Sequence, residues 1–184
     1  MREVGTVSPL DVSIAPPEQA DDGEFVAEVV DLVNRVYAGA EKGLWRDGTD
    51  RTSPAEVTSL IRAGQLAVAR MGGRLVGTVR LQRLGGGEGA FGMLVASPDD
   101  RGIGIGRELV AFAERWARER QLDRMQLELL VPQTWTHPVK EFLRDWYTRI
   151  GYREIRRARL DEAYPALQPH LATPCDFVIY HKSL

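Results

Sequence analysis

Arg101-Gly102-Ile103-Gly104-Ile105-Gly106-Arg107 separates a strand-like run, Phe91 to Ala96, from a helix-like run, Arg107 to Arg120. That position decides how the chain is read. Gly102, Gly104 and Gly106 let the backbone turn sharply and approach a ligand with no Cβ in the way, and the N–H groups of a helix's first turn have no partners inside the helix. Together with the helix dipole, those donors suit an anionic pyrophosphate. Arg101 and Arg107 bracket the loop and can add charge-assisted hydrogen bonds to phosphate oxygens. The glycines alone are equally consistent with a strand-to-helix turn that binds nothing.

Two better-known phosphate motifs fail on spacing. A Walker A loop needs Gly-x-x-x-x-Gly-Lys-Ser/Thr, and Lys42, Lys140 and Lys182 all lie outside that frame. The dinucleotide fingerprint Gly-x-Gly-x-x-Gly requires a sixth-position glycine, but that position holds Arg107 counted from Gly102 and Leu109 counted from Gly104. Nucleoside triphosphate hydrolysis and a Rossmann NAD site are both unsupported.

Composition sets wider bounds. A chain of 184 residues with 43% hydrophobic content suits one domain, residues 1–184, with a sizeable core. A formal net charge of −2 gives no global reason to expect nucleic-acid binding. The lone Cys175 cannot form an internal disulfide, and neither a signal-like N-terminal region nor an apolar run long enough to span a membrane is seen. The expectation is a cytoplasmic protein with no nucleic-acid or membrane partner and no metal, since the histidines lack ligand spacing.

Periodicity supplies the layout. Val12 to Ala15 reads as a strand, and Glu24 to Tyr37 as a helix from the spacing of Phe25, Val29, Leu32, Val33 and Val36. Ser53-Pro54-Ala55-Glu56 combines an N-cap serine, a first-turn proline and a capping-box glutamate, which starts a helix running to about Ala63. Leu66 to Arg70 and Leu75 to Gln82 flank Gly72-Gly73 as an antiparallel hairpin. Phe91 to Ala96, the helix after the glycine loop, a strand at Met125 to Val131 and a helix from Lys140 to Ile150 follow, with Gly151 as its C′ stop. Tyr152 to Leu160 and Phe177 to His181 complete the sheet. Glu108, Glu114, Arg115, Arg118 and Glu119 read as the solvated face of the third helix, and about ten N-terminal residues as frayed. The fold class is α/β of the α+β type, with helices on a mostly antiparallel sheet.

Arg101-Gly102-Ile103-Gly104-Ile105-Gly106 also fits the pattern Arg/Gln-x-x-Gly-x-Gly/Ala. Met93-Leu94-Val95-Ala96-Ser97-Pro98 before it resembles a strand with a bulge, and Trp146-Tyr147-Thr148-Arg149-Ile150-Gly151-Tyr152 resembles a second motif, an aromatic pair on a helix that ends at Gly-Phe/Tyr. On these residues the segment from Leu66 to Arg159 is similar to the GNAT superfamily of acyl-CoA-dependent N-acetyltransferases. The resemblance implies a mixed sheet with two splayed parallel strands, here Phe91 to Ala96 and Met125 to Val131, and about four flanking helices. It implies acetyl-CoA as acyl donor, an amine as acceptor, and direct transfer with no covalent enzyme intermediate.

The resemblance also distributes roles. A backbone N–H among Leu94, Val95 and Ala96 would stabilise the thioester oxyanion, and the amides of Gly102, Ile103, Gly104, Ile105, Gly106 and Arg107 would hold the pyrophosphate. Tyr147 matches the family's motif tyrosine and would assist departure of the thiolate; the residues alone also allow an aromatic that fills the core, with Trp146 the more core-like of the pair. Lys140 stands where many relatives carry asparagine, and takes over that pantetheine contact or reaches a phosphate. Glu128, between Leu127 and Leu129, is a general base facing the acceptor or a solvent-facing glutamate. His137 is an alternative base or an ordinary loop residue.

Cys175 beside Phe177-Val178-Ile179 reads as a buried strand residue ahead of a thiol nucleophile. Arg153, Arg156, Arg157 and Arg159 read as a solvated face. Trp45, Trp135, His137 and Glu128 are expected to wall an acceptor pocket that favours a cationic small amine or an amino-acid-like molecule. The competing readings are a CoA-binding or ligand-sensing module without turnover, and a protein N-acetyltransferase that works in a complex. The oligomeric state stays open, a homodimer included.

Overall fold

The computed structural model describes residues 9–184. A seven-stranded sheet runs through it in the order β1-β2-β3-β4-β5-β7-β6. The strands are β1 Leu10–Ile14, β2 Leu66–Met71, β3 Arg74–Arg83, β4 Glu88–Ala96, β5 Arg124–Pro132, β6 Arg153–Arg159 and β7 Cys175–Ser183. All neighbouring pairs are antiparallel except β4 and β5. The helices are α1 Gly23–Ala40, α2 Pro54–Arg62, α3 Ile105–Glu119, α4 Pro138–Arg149 and the short α5 Leu160–Ala163. This is the mixed, mostly antiparallel architecture expected. Most of the expected frayed N-terminal segment lies outside the described residues, but Leu10 already pairs with Met71 in β1.

Local chemistry accounts for most boundaries. Ser53 Oγ caps α2 by accepting from Glu56 N, while the Glu56 carboxylate takes the Thr52 hydroxyl rather than completing the reciprocal bond. Gly72 and Gly73 both have positive φ, the conformation a type I′ hairpin turn requires. The short α5 and the 3-10 turn at Pro165–His170 were not legible in the sequence.

Strand alternation sorts the core into two layers. Leu66, Val68, Leu75, Met93 and Val95 pack with Phe25, Val29 and Ile61 under α1 and α2. Ala67, Val76, Val79, Leu81, Phe91, Leu127 and Leu129 pack with Ile105, Leu109, Ala113 and Tyr147 under α3 and α4. A smaller cluster of Leu44, Leu130, Leu160 and Cys175 lies where the α1–α2 connection meets the β6–β7 connection. The polar stripe assigned to α3 needs one correction: Glu114 is buried, and its Oε1 accepts from Tyr152 OH at 3.1 Å and Lys182 Nζ at 2.7 Å. Tyr152 is fully buried and its hydroxyl needs an acceptor, which draws that carboxylate inward.

Candidate active site

The glycine loop joins β4 to α3 and is anchored from behind. Ser97 Oγ accepts from Asp99 N, and Arg74 makes two hydrogen bonds to Asp100, at 2.8 and 2.7 Å. The Arg74 guanidinium holds the Asp100 carboxyl below the usual carboxylate range. Gly102 and Gly104 have φ of +85° and +87°, where a side chain would be strained. Gly104 is the N-cap of α3 and offers no side-chain acceptor, so the N–H groups of Ile105, Gly106 and Arg107 are left for another partner. Arg101 and Arg107 are exposed and have no ion pair among the described residues.

What seats this helix start against the sheet is Gly77, which the sequence reading passed over. A Cβ there would lie 2.8 Å from both Ile105 Cγ2 and the Val95 carbonyl oxygen. A glycine inside a strand often marks such a close approach, so the signal was present.

The parallel pair β4–β5 is hydrogen-bonded only at Glu88, Gly89 and Ala90 against Arg124, Met125 and Gln126. Both strands continue past that point without pairing to each other, so the Phe91–Ala96 segment has an edge free of any ladder on the β5 side. Within it, Met93 adopts φ +48° and the β3–β4 register shifts between Thr78 and Arg80, which is the expected bulge. Leu94, Val95 and Ala96 follow the bulge on this unpaired segment.

Tyr147 stands at the fork of that opening because of how α4 ends. Gly151, at φ +104°, lets its own N–H bond Thr148 O at 3.2 Å and the Tyr152 N–H bond Tyr147 O at 3.0 Å, the two bonds of a Schellman cap. The accompanying apolar contact is Tyr147 on Tyr152, with ring centroids 6.0 Å apart, and Tyr147 also meets Phe91, the first unpaired residue of β4, at 6.1 Å. Tyr147 is 5% exposed, whereas Trp146 is only half-buried, which reverses the expected division between them. The Tyr147 hydroxyl has no hydrogen-bond partner among the described residues and is not among the side-chain polar atoms sealed from solvent. Burial pushes its pKa above the ordinary tyrosine value.

Glu128 is exposed on the face opposite Leu127 and Leu129, as alternation predicts. Its Oε2 accepts from Tyr164 OH at 2.8 Å, and Gln126 Nε2 lies 3.5 Å from Oε1. Burial, then the bond to Glu128, push the Tyr164 phenol up to about 12.

Trp45, Trp135 and His137 are gathered around residues 41–45, but each is held by protein. Trp45 Nε1 donates to Glu41 at 2.5 Å, Trp135 Nε1 to Thr173 Oγ1 at 3.3 Å, and the His137 ring, stacked on Trp135 with centroids 5.3 Å apart, reaches Lys42 O through Nε2 at 3.2 Å. His137 is 5% exposed at the start of α4, not in an open loop. None of the three hydrogen-bonds to Glu128, whose partners are Tyr164 and Gln126.

Lys140 needs the clearest correction. Its ammonium is buried and pairs with Glu41 at 2.5 Å, so reaching a phosphate would require breaking that ion pair. Glu41 was missed, although a carboxylate at a helix C-terminus opposes the dipole and calls for a cationic partner. Cys175 is buried, its thiol pushed up to about 11 by burial, which removes it as a nucleophile at neutral pH. Arg157 and Arg159 pair with Glu154 and Asp161 on an exposed strand, in keeping with a solvated face.

The model of the acetyltransferase (GNAT) family matches residues 31–155. Similar solved structures include N-acetylglutamate synthase from Neisseria gonorrhoeae, complexed with coenzyme A and N-acetyl-glutamate. It is 16% identical with a TM-score of 0.65, over 97% of this chain but 36% of that one, so this chain spans about a third of its length. A GNAT-family acetyltransferase from Staphylococcus aureus is 16% identical with a TM-score of 0.64 over 96% and 99% of the two chains. Ribosomal-protein-alanine N-acetyltransferase from Brucella melitensis is 16% identical with a TM-score of 0.63 over 95% and 99%. At such identities the likeness is one of fold. Among curated proteins no sequence matches. No described helix is long and apolar enough to cross a membrane.

Proposed function

The chain belongs to the GNAT acetyltransferase family, and from that premise we propose that it transfers an acetyl group from acetyl-CoA to the amine of a small or amino-acid-like acceptor. The observation that carries this reading is the parting of β4 and β5 after Ala90 and Gln126, with the uncapped start of α3 at its far end and the Tyr147 hydroxyl at its fork. The pantetheine arm would lie along the unpaired edge of β4 by strand addition. The pyrophosphate would take the N–H groups from Gly102 to Arg107, with Arg101 and Arg107 adding charge.

In the reaction a neutral amine attacks the thioester carbonyl carbon, the C–N bond forms, and the C–S bond breaks. A backbone N–H from Leu94 to Ala96 would hold the oxyanion. The amine's surplus proton would pass to Glu128 or to water, and the leaving sulfur would accept a hydrogen bond from the Tyr147 hydroxyl and take its proton from water. A phenol whose pKa is raised stays protonated and can donate, whereas the CoA thiol has an ordinary pKa near 8.5 and departs readily with one hydrogen bond.

The test is release of CoA thiol from acetyl-CoA across a panel of small amines, amino acids and peptides. Acceptor-dependent release with a small amine or amino acid supports the reading. Tight acetyl-CoA binding with no release on any member would favour a non-catalytic CoA-binding module, and release with peptides alone would favour protein acetylation.

A further inference from the structure

Arg80, Gly92 and Glu128 lie on one face of the sheet, across the start of the gap between β4 and β5. Arg80 and Gly92 are register partners and so share a face. Val79 and Leu81 point into the α3 layer and Leu127 and Leu129 do the same from β5, which puts Arg80 and Glu128 on the opposite side. Gly92 is exposed, and a Cβ built on it would meet nothing within 4 Å. The result is a trough with a bare backbone floor, a cation on one bank and an anion on the other.

The two banks are in different states. Glu128 is steadied by the Tyr164 hydroxyl. Arg80 has neither an ion pair nor a hydrogen bond among the described residues, and its Nε is sealed from solvent without a partner. Burying an unpaired donor is unfavourable, more so when it is charged, and such orphans in a folded protein call for an explanation. The two terminal Nη groups of the same guanidinium are neither sealed nor hydrogen-bonded among the described residues, so a ligand carboxylate can reach them and give the cation the partner it lacks. Arg80 lies close enough to the Glu128–Tyr164 pair for its charge to act on the Tyr164 phenol, as does that of Arg156. Strands are about 4.8 Å apart, so the backbones of Arg80 and Glu128, two strands apart at a point where the sheet opens, are at least about 10 Å apart. A span of that width can hold a molecule whose ammonium and carboxylate are one carbon apart.

We infer that this trough binds an amine that also carries a carboxylate, an α-amino acid, with the Arg80 guanidinium forked on the carboxylate and Glu128 holding the amino end beside the gap. This rests on the acetyl-transfer reading and narrows its acceptor from amines in general to zwitterions. Arginine suits the task because its planar fork matches a carboxylate bidentately.

The test uses matched acceptors: L-phenylalanine with phenethylamine and L-phenylalaninamide, L-lysine with cadaverine, and L-histidine with histamine, in wild type, Arg80→Met and Arg80→Lys. Wild type is expected to favour the carboxylated member by at least about tenfold in kcat/KM. Arg80→Met should erase that preference through KM, leave turnover of the decarboxylated amines within about twofold, and keep or raise Tm, because replacing an unsatisfied donor with an apolar group is close to neutral. Arg80→Lys should recover part of the preference. Equal rates on both members in wild type, or equal losses on both in Arg80→Met, would overturn the assignment. If no acceptor releases thiol while acetyl-CoA binds, the transfer reading fails on its own. Calorimetry of L-phenylalanine, L-lysine and L-histidine against the CoA-saturated protein then decides the trough: binding that Arg80→Met abolishes sustains it, and no binding of any of the three refutes it.

Discussion

The glycine loop and the acceptor face are built in opposite ways. Every group that the loop would offer to a phosphate comes from one run of seven residues, and its geometry follows from two positive-φ glycines and an uncapped helix start. The proposed acceptor face takes Arg80 from β3, Gly92 from β4, Glu128 from β5 and Tyr164 from the β6–β7 connection, while Glu41, Trp45, His137 and Lys140 form a group held by its own bonds. Local conformation makes the first site, and tertiary packing makes the second. A phosphate site made by backbone can be shared by chains of little sequence identity, whereas an acceptor site made by packing is free to differ between them.

The largest expected effect tests whether Lys140 belongs to the Glu41 group or to the loop. Lys140→Ala leaves Glu41 charged and unpaired in the interior, which should cost about 3–5 kcal/mol and lower Tm on the order of 10 °C. The paired replacement Glu41→Leu with Lys140→Met should recover most of that loss. If thermal melting instead shows Lys140→Ala unchanged, and calorimetry shows weaker acetyl-CoA binding with a shallower salt dependence, Lys140 serves the phosphates and the division between the two regions breaks down.

Next in size is Tyr147, at the boundary between them. Tyr147→Phe keeps the ring contacts with Phe91 and Tyr152 and removes the hydroxyl, so kcat should fall about ten- to a thousandfold with acetyl-CoA affinity unchanged. Burial raises the folded-state pKa of this phenol, so its ionisation lies above the ordinary tyrosine value of 10.0. Any basic limb in kcat below that value must therefore come from another group and should persist in the variant's pH profile. Normal turnover by Tyr147→Phe would make the phenol structural.

Gly77→Ala gives a smaller effect but links the regions. The new methyl would press on Ile105 and on a backbone carbonyl that cannot swing aside, which should cost about 1–3 kcal/mol and displace the start of α3. Melting and acetyl-CoA titration should shift together. A loss of stability with unchanged affinity would mean that the loop holds its shape without its seat on the sheet.

How much the sequence revealed follows the same division. The glycine turn, the hairpin at Gly72-Gly73 and the Gly151 stop were legible because each depends on residues within a few positions of one another, whereas the bulge at Met93 and the choice of Tyr147 came from the family resemblance. Glu128 was placed on the correct face by alternation alone. The partnership of Glu41 with Lys140, ninety-nine positions apart, was not legible, and neither were the inward turn of Glu114, the bond from Tyr164 to Glu128, or the isolation of Arg80. These depend on which strands and connections meet across the sheet, which hydrophobic period does not specify. Gly77 falls between the two cases: its position inside a strand was visible, but the helix it admits was not.

Calorimetric titration of acetyl-CoA into wild type and Gly104→Val tests the central claim, that the loop before α3 holds the acyl donor. At φ +87° a β-branched side chain is strained and would crowd the uncapped N–H groups. Wild type should bind acetyl-CoA with an affinity that falls as salt is added, and a folded Gly104→Val should bind at least about tenfold more weakly. Equal affinities in the two proteins, or no binding by wild type, would contradict the account.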